Sequence, residues 1–234
     1  MVDARGVPRV DAFRHEVLAV TLQVRDDRLC VLLWRRGEQP HRGRWSLPGG
    51  PLLAEERLGT SVARHLADKV DVRSIAHLEQ LETRSDPGRD PRGRVLATAY
   101  VGVVPADAEP AVPSDTAWHP ADALPRTAFD HGSIVASGVA RLRAKLSYTN
   151  IAFALAPPEF TLGELRGLYV AALGYDVAVT NLKRVLTRRE LIQPVGTRAA
   201  SGPAGGRPPA VYRFRAAALE VTDAGAVFRG TGRA

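Results

Sequence analysis

The chain is poor in cysteine, in aromatic side chains and in long apolar runs. Cys30 is the single cysteine among 234 residues, which excludes an internal disulfide and a cysteine-based zinc site. No stretch approaches the roughly 20 apolar residues of a membrane span. Charges at Asp3, Arg5, Arg9 and Asp11 interrupt the first residues and do not fit a secretory signal. We therefore expect a cytoplasmic protein with no membrane partner.

Positive charge is concentrated in the last third of the chain. The net charge is +7, yet basic and acidic residues are nearly balanced before residue 156. Between residues 180 and 215 the single acid is Glu190, against Lys183, Arg184, Arg188, Arg189, Arg198, Arg207, Arg213 and Arg215. This distribution predicts a polyanion-binding module joined to a neutral body. A solvated basic surface without a partner is the alternative interpretation.

The residues before the basic third mix strand and helix patterns. Apolar and β-branched runs predict strands over 17–24, 29–34, 75–82 and 95–104, and helical spacing predicts helices over 57–70 and 133–146. Such mixing favours one α+β domain, which we place at 15–155 after a flexible N-terminus, 1–14. Pro157 and Pro158 stiffen the chain after it, so a second domain is expected over 156–234.

The segment 50–72 resembles a Nudix box. The family pattern is Gly, five residues, Glu, seven residues and then Arg-Glu-apolar-x-Glu-Glu-x-Gly-apolar. This chain matches it at Gly50, Glu56, Arg64, Leu66 and Val72. The three downstream glutamates are replaced by His65, Asp68 and Lys69, and the second glycine is replaced by Asp71.

These three replacements fall on one face of the predicted helix, because they are spaced i, i+3 and i+4. In Nudix hydrolases this face is a carboxylate cluster that binds magnesium, which polarises a pyrophosphate. Magnesium requires hard oxygen ligands, whereas this face offers an imidazole, a single carboxylate and an ammonium. We therefore expect no catalytic residue, no metal and no cofactor. Glu56 and Arg64, which brace the loop against the helix in the family, are kept.

Two flanking segments extend the resemblance over residues 16–146. The runs 32–36 and 85–94, the latter before a strand with Tyr100, are similar to Nudix proteins that handle ADP-ribose. The resemblance implies a Nudix-type α/β/α sandwich with a mixed sheet that still binds a nucleotide. Its expected effector-binding residues are Arg35, Arg36, Arg44, Trp45, Glu56, Arg94 and Tyr100. Arginines suit phosphates, and the two aromatic side chains suit an adenine or a ribose; core packing or surface exposure is the alternative for each.

The second domain carries the pattern of a winged helix-turn-helix. Thr161 and Glu164 form a capping box for a helix that ends at Gly174. A second helix over 179–191 would turn outward its polar residues Thr180, Asn181, Lys183, Arg184, Thr187 and Arg188. Strands near 191–195 and 210–214 then form a wing whose loop carries Arg198 and Arg207. This arrangement predicts binding to double-stranded DNA. A small helical domain for protein contacts is the alternative, and RNA is disfavoured by the lack of exposed aromatics.

A degenerate Nudix domain followed by a winged helix resembles the Nudix-related transcriptional regulators of NAD metabolism, the NrtR family. The resemblance covers both domains and their order. It implies a homodimeric repressor of NAD-biosynthesis or salvage genes that binds a palindromic operator and has ADP-ribose or a related nucleotide as its effector. The family favours release of the operator by the effector, and co-repression is the alternative. Two alternatives stay open: a Nudix hydrolase with residual activity and an appended regulatory domain, and a non-catalytic adaptor whose second domain binds protein.

Overall fold

A mixed sheet forms the centre of the first domain in the computed structural model, which describes residues 12–199 and 208–223. Its strands are β1 (Arg14–Arg25), β2 (Arg28–Arg35), β3 (Trp45–Ser46), β4 (Gly49–Pro51), β5 (His77–Arg84), β6 (Val95–Val103) and β7 (Thr116–Pro120). They are ordered β3-β2-β1-β6-β5, with β4 also paired to β1 and β7 to β2. The hairpin β1–β2 is antiparallel, and β1 and β6 are parallel.

One helix covers each face of this sheet. The alternation of a strand places Val17 and Ala19 of β1 against α1 (Leu58–Val70), and Leu18 and Val20 in the cluster with α2 (His131–Tyr148). The expected α/β/α sandwich is confirmed. Helix α1 ends at Asp71, whose φ of 51° is left-handed at the position where the Nudix pattern has glycine.

Several strands were too short or too irregular to be predicted. Neither β3 nor β4 exceeds three residues, and β7 ends on a proline, so none shows the alternation that marks a strand. Helix α2 begins two residues before its predicted start and ends two residues after its predicted end. These differences affect element ends, and the predicted order of the longer elements is confirmed.

The second domain is a winged helix. A short 3-10 helix (Ile151–Ala154) leads to β8 (Phe160–Thr161), α3 (Leu162–Leu173), α4 (Val179–Arg188), β9 (Ile192–Arg198) and β10 (Ala210–Phe214). The strands form a three-stranded sheet in the order β8-β10-β9. The capping box is present: Thr161 Oγ1 accepts from the Glu164 N–H at 3.2 Å, and Glu164 Oε2 accepts from the Thr161 N–H at 2.6 Å. The prediction that α4 reaches residue 191 is wrong, because Glu190 turns left-handed (φ 55°).

The two domains share one hydrophobic core. Leu146 of α2, Leu155 of the connection and Leu165 of α3 belong to the same buried cluster. Across this contact Arg143 Nε donates to the carbonyl of Ala172 at 3.0 Å. The domain limit at 155/156 therefore lies inside packed structure and stays a prediction. None of the helices in the described part of the chain combines the length and the apolar character needed to span a membrane.

Candidate nucleotide cleft and nucleic-acid interface

The pair Glu56–Arg64 braces the loop before α1 against the helix. Arg64 Nε lies 2.5 Å from Glu56 Oε1, and Arg64 Nη2 lies 2.8 Å from Oε2, so the contact is bidentate. The hydrogen bonds from Arg64 are the main cause that lowers the pKa of Glu56 to about 2. Glu56, predicted to bind the effector, thus has its carboxylate engaged by its own helix.

His65, at the first degenerate position, is buried behind the same loop. Its Nε2 donates to the carbonyl of Pro51 at 3.1 Å, since a carbonyl oxygen can only accept. The ring is in close contact with Gly50: a Cβ at residue 50 would lie 2.6 Å from His65 Cε1. Burial is the main cause that lowers the pKa of this imidazole. His65 therefore joins helix to loop as a neutral group.

Lys69 and Asp68 point in different directions. Lys69 Nζ donates to the carbonyl of Gly49 at 2.6 Å and lies 4.8 Å from the ring centroid of Trp34. Asp68 is exposed to solvent. Two of the three degenerate positions are therefore used to hold the loop 49–51, and the third is on the surface.

The residues present do not fit the magnesium cluster of Nudix hydrolases. Within residues 12–199 and 208–223, no group of three or more His, Cys, Asp or Glu side chains is arranged to hold a metal ion. Where such a cluster needs carboxylate oxygens, His65 presents an N–H already bonded to Pro51 and Lys69 presents a positive charge. The helix face thus lacks the ligands that the ion requires.

A cleft of about 350 Å³ opens in front of this loop. Its charged and aromatic lining includes Arg14, Glu16, Trp34, Arg36, Lys69, Arg92 and Phe129. The guanidinium carbons of Arg36 and Arg92 lie 4.9 Å and 5.7 Å from the ring centroid of Phe129. Phe129 has a φ of 48°, a conformation that packing must enforce on a non-glycine residue. The cleft thus combines guanidinium groups with an aromatic ring.

Some of the cleft's positive charge is paired within the protein. Arg92 Nη2 lies 2.6 Å from the buried carboxylate of Asp90, and Arg14 Nη2 lies 2.6 Å from Glu16 Oε1. Arg36 makes no ion pair with the described residues, and its Nε donates to the carbonyl of Pro40 at 2.9 Å. Burial first, and then the nearby Arg92, lower the pKa of Arg36. Such a site favours an anionic ligand.

The start of α2 supports the cleft from behind. His131 is fully buried, and its Nδ1 accepts from the Leu47 N–H and faces Ser46 Oγ, each at 3.0 Å. Burial lowers the pKa of His131 to about 3, so the ring is neutral. Asp130 occupies the N-cap position of α2, but its side chain makes no capping bond and accepts instead from the buried Arg89 at 2.8 Å. Leaving this buried arginine without a partner would cost more than the lost capping bond.

Of the seven predicted effector-binding residues, the structure places Arg36 in the cleft lining. Arg35 and Trp45 pair with each other, 5.3 Å from guanidinium carbon to ring centroid, and Arg44 is exposed. Arg94 Nη1 donates to the carbonyl of Ser85 at 2.5 Å, and Tyr100 packs on the core beneath α1. Their roles in binding stay predictions.

Arg14, Arg92 and Phe129 were missed as cleft residues. Arg92 lies in the Arg-rich segment 85–94 and therefore carried a signal. Arg14 carried none, because it reaches the cleft only through the pairing of β1 with β4 and β6.

Helix α4 presents a basic face to solvent. Its predicted DNA-contacting residues are all exposed, and five of them share a shallow groove: Thr180, Lys183, Arg184, Thr187 and Arg188. The sixth, Asn181, accepts from Arg184 Nη2 at 2.7 Å. Within the described residues no acid pairs with any of these cations, while Leu182 and Leu186 are buried on the opposite side.

Arg189 and the two predicted wing arginines differ from that face. Arg189 is tied to Asp223 at 2.9 Å and to the carbonyl of Ser147 at 2.9 Å. Of the predicted wing contacts, Arg198 is described in its backbone alone, as the end of β9, and Arg207 lies outside the described residues. The exposed cations of α4 are thus the described part of the predicted interface.

Comparison with known proteins agrees with both domains. Residues 152–214 match the NrtR DNA-binding winged helix domain, and residues 13–137 match the NUDIX domain. The ADPR-responsive transcriptional repressor of Acinetobacter baylyi is 32% identical over 195 residues, covering 80% of this chain and 76% of that protein.

Two solved structures are similar. The NrtR of Shewanella oneidensis complexed with a 27mer DNA is 28% identical, with a TM-score of 0.73, over 86% of this chain and 93% of that one. The NUDIX domain of the same NrtR complexed with ADP ribose is 34% identical, with a TM-score of 0.50, over 61% of this chain and 99% of that one.

The fold and the two sites define a transcriptional regulator built from a Nudix domain and a DNA-binding winged helix. The chain belongs to the NrtR family.

Proposed function

We propose that this chain is a homodimeric repressor of NAD-metabolism genes that binds ADP-ribose, or a closely related nucleoside diphosphate, in its Nudix cleft. The relative from Acinetobacter is named as ADPR-responsive, and the Shewanella domain was solved with ADP ribose. The cleft offers what such a ligand needs: Arg36 and Arg92 for phosphates, and Phe129 for a base or sugar.

The observation that carries the proposal is the basic face of α4, whose cations pair with no acid among residues 12–199 and 208–223. Lys183, Arg184 and Arg188 project from the second helix of a winged helix, the element that enters the major groove in this class of domain. Two copies in a dimer would place these helices in successive major grooves, about 34 Å apart. A palindromic operator with this spacing is therefore expected.

Helix α2 is the proposed link between ligand and DNA. Its first residue, His131, lines the cleft, and Arg143 bonds to the last turns of α3. At its far end the carbonyl of Tyr148 accepts from Thr222 and Asp223, and Asp223 holds Arg189 at the end of α4. A ligand that favours one position of α2 would change operator affinity, with a coupling on the order of 1–3 kcal/mol. We expect ADP-ribose to release the operator.

The cleft is proposed to bind without hydrolysing, because the degenerate face does not fit the metal cluster of the hydrolases. Incubating the purified chain with ADP-ribose and magnesium tests this. Substantial turnover that disappears in Asp68→Ala would favour the hydrolase instead.

A DNA mobility-shift experiment tests the proposed function as a whole. Upstream regions of NAD-biosynthesis and salvage genes are titrated with the full chain, with and without ADP-ribose. Specific binding that weakens with salt and is relieved by ADP-ribose is expected. Salt-insensitive or absent DNA binding would favour a protein-binding adaptor.

A further inference from the structure

Lys69 places a positive charge inside the cleft. It extends from the last turn of α1, lines the cleft and lies over the ring of Trp34. Its ammonium has three donors, and within residues 12–199 and 208–223 its hydrogen-bonded acceptor is the Gly49 carbonyl alone, at 2.6 Å. Donor capacity therefore remains for a ligand.

Among the residues that the structure describes, this charge has no direct ion pair. No carboxylate of the described residues lies in ion-pair contact with Lys69, and the carboxylates whose charges act on it, Glu16 and Glu38, act at longer range. Asp68, the neighbouring acid, is exposed. A cation held without a partner in a partly buried cleft is stabilised when an anion enters.

The position of the charge is specific. In the Nudix pattern, residue 69 is one of the glutamates that would hold the divalent cation, and here it carries the positive charge itself. We propose that the Lys69 ammonium takes the place of the divalent cation as a charge partner of the ligand's diphosphate, so that the cleft binds a nucleoside diphosphate without metal. This inference rests on the proposed function.

Isothermal titration of the full chain with ADP-ribose tests it, once in EDTA and once in excess magnesium. We expect dissociation constants that agree within about twofold, because no bound ion contributes to affinity. Lys69→Gln keeps an N–H for the Gly49 carbonyl but removes the charge, and should bind at least about tenfold more weakly. The matched control is Arg73→Gln, which removes a charge from the exposed segment just after α1 and should bind like the wild type.

The outcomes separate this inference from the function on which it rests. Wild-type binding that needs magnesium, or Lys69→Gln binding as tightly as the wild type, overturns the role of Lys69 and leaves the sensor intact. Absence of ADP-ribose binding in both buffers overturns the proposed function. The wild-type comparison needs no variant, so the test holds even where Lys69→Gln does not fold.

Discussion

Helices α1 and α4 are both short and polar on one face, yet their charged side chains have different surroundings. In α1, Arg64, His65 and Lys69 bond to the loop that precedes the helix, through Glu56 or backbone carbonyls. In α4, Lys183, Arg184 and Arg188 point to solvent with no acid beside them in the described structure. The first set holds a loop in place, although Lys69 also faces the cleft, and the second is available to an external polyanion.

The difference shows that residue type does not decide the role of a basic side chain. Arg188 and Arg189 are adjacent, but the first is exposed, while the second is tied to Asp223 and Ser147. A basic side chain is structural where the fold gives its charge a partner. It can bind an external ligand where the fold leaves the charge without one.

Replacing both Arg184 and Arg188 with alanine tests the basic face of α4 and should have the largest effect on operator affinity. Operator affinity is expected to fall about 100-fold or more, because each lost DNA contact contributes on the order of 1–3 kcal/mol. Mobility shift measures this loss, and titration with ADP-ribose should show unchanged nucleotide binding.

Arg57→Ala with Arg73→Ala is the control pair at exposed positions flanking α1. It removes the same charge and should leave operator affinity within about threefold of the wild type. Equal losses in the two double variants would mean that overall charge, and not the face of α4, determines binding.

Much of the fold was predictable because its signals are local. The apolar, β-branched run of β1 and the capping box at Thr161 and Glu164 depend on residues a few positions apart. Each pattern specifies its element without reference to the rest of the chain.

The cleft was less predictable because its contacts join distant segments. Phe129 meets Arg36 and Arg92 only after α2 and the loop 85–94 pack on the sheet. Arg35 and Arg36 look alike in sequence, but the former pairs with Trp45 outside the cleft. Tertiary packing decides which side chains meet in the cleft, and neither the spacing nor the composition of the sequence predicts it.

Gly50→Ala tests the inward contacts of α1. A Cβ at residue 50 would lie 2.6 Å from His65 Cε1, and the buried imidazole has little room to move. We expect a loss of about 1–3 kcal/mol in the free energy of unfolding, the usual cost of overpacking. Urea denaturation of the wild type and of Gly50→Ala measures this loss.

Gly59→Ala is the matched control, since a Cβ there meets nothing within 4 Å. Within α1 this change should be neutral or stabilising by up to about 1 kcal/mol. If both alanine variants are as stable as the wild type, His65 does not pack against the loop as described.

Two helix starts in the winged helix allow a smaller test. Thr161→Ala removes the side-chain cap of α3 and should reduce the free energy of unfolding by about 1 kcal/mol. Thr180 is exposed at the start of α4, where the N-cap residue Ala178 makes no side-chain bond. Thr180→Ala should therefore change the free energy of unfolding by less than about 0.5 kcal/mol. Thermal or urea unfolding distinguishes them, and equal effects would argue against the cap.

The smallest effect concerns pH and the pair Glu56–Arg64. The pKa of Glu56 is lowered to about 2 from an ordinary 4.5, mainly by the hydrogen bonds from Arg64. The stabilisation is therefore fully present above pH 4.5 and is lost as the pH falls towards 2.

Glu56→Gln should show a shallower loss of stability than the wild type between pH 5 and pH 2.5. Glu55→Gln, at an exposed acid with no ion pair in the described residues, should keep the wild-type slope. Identical slopes in all three proteins would show that the Glu56–Arg64 pair makes no net contribution to stability.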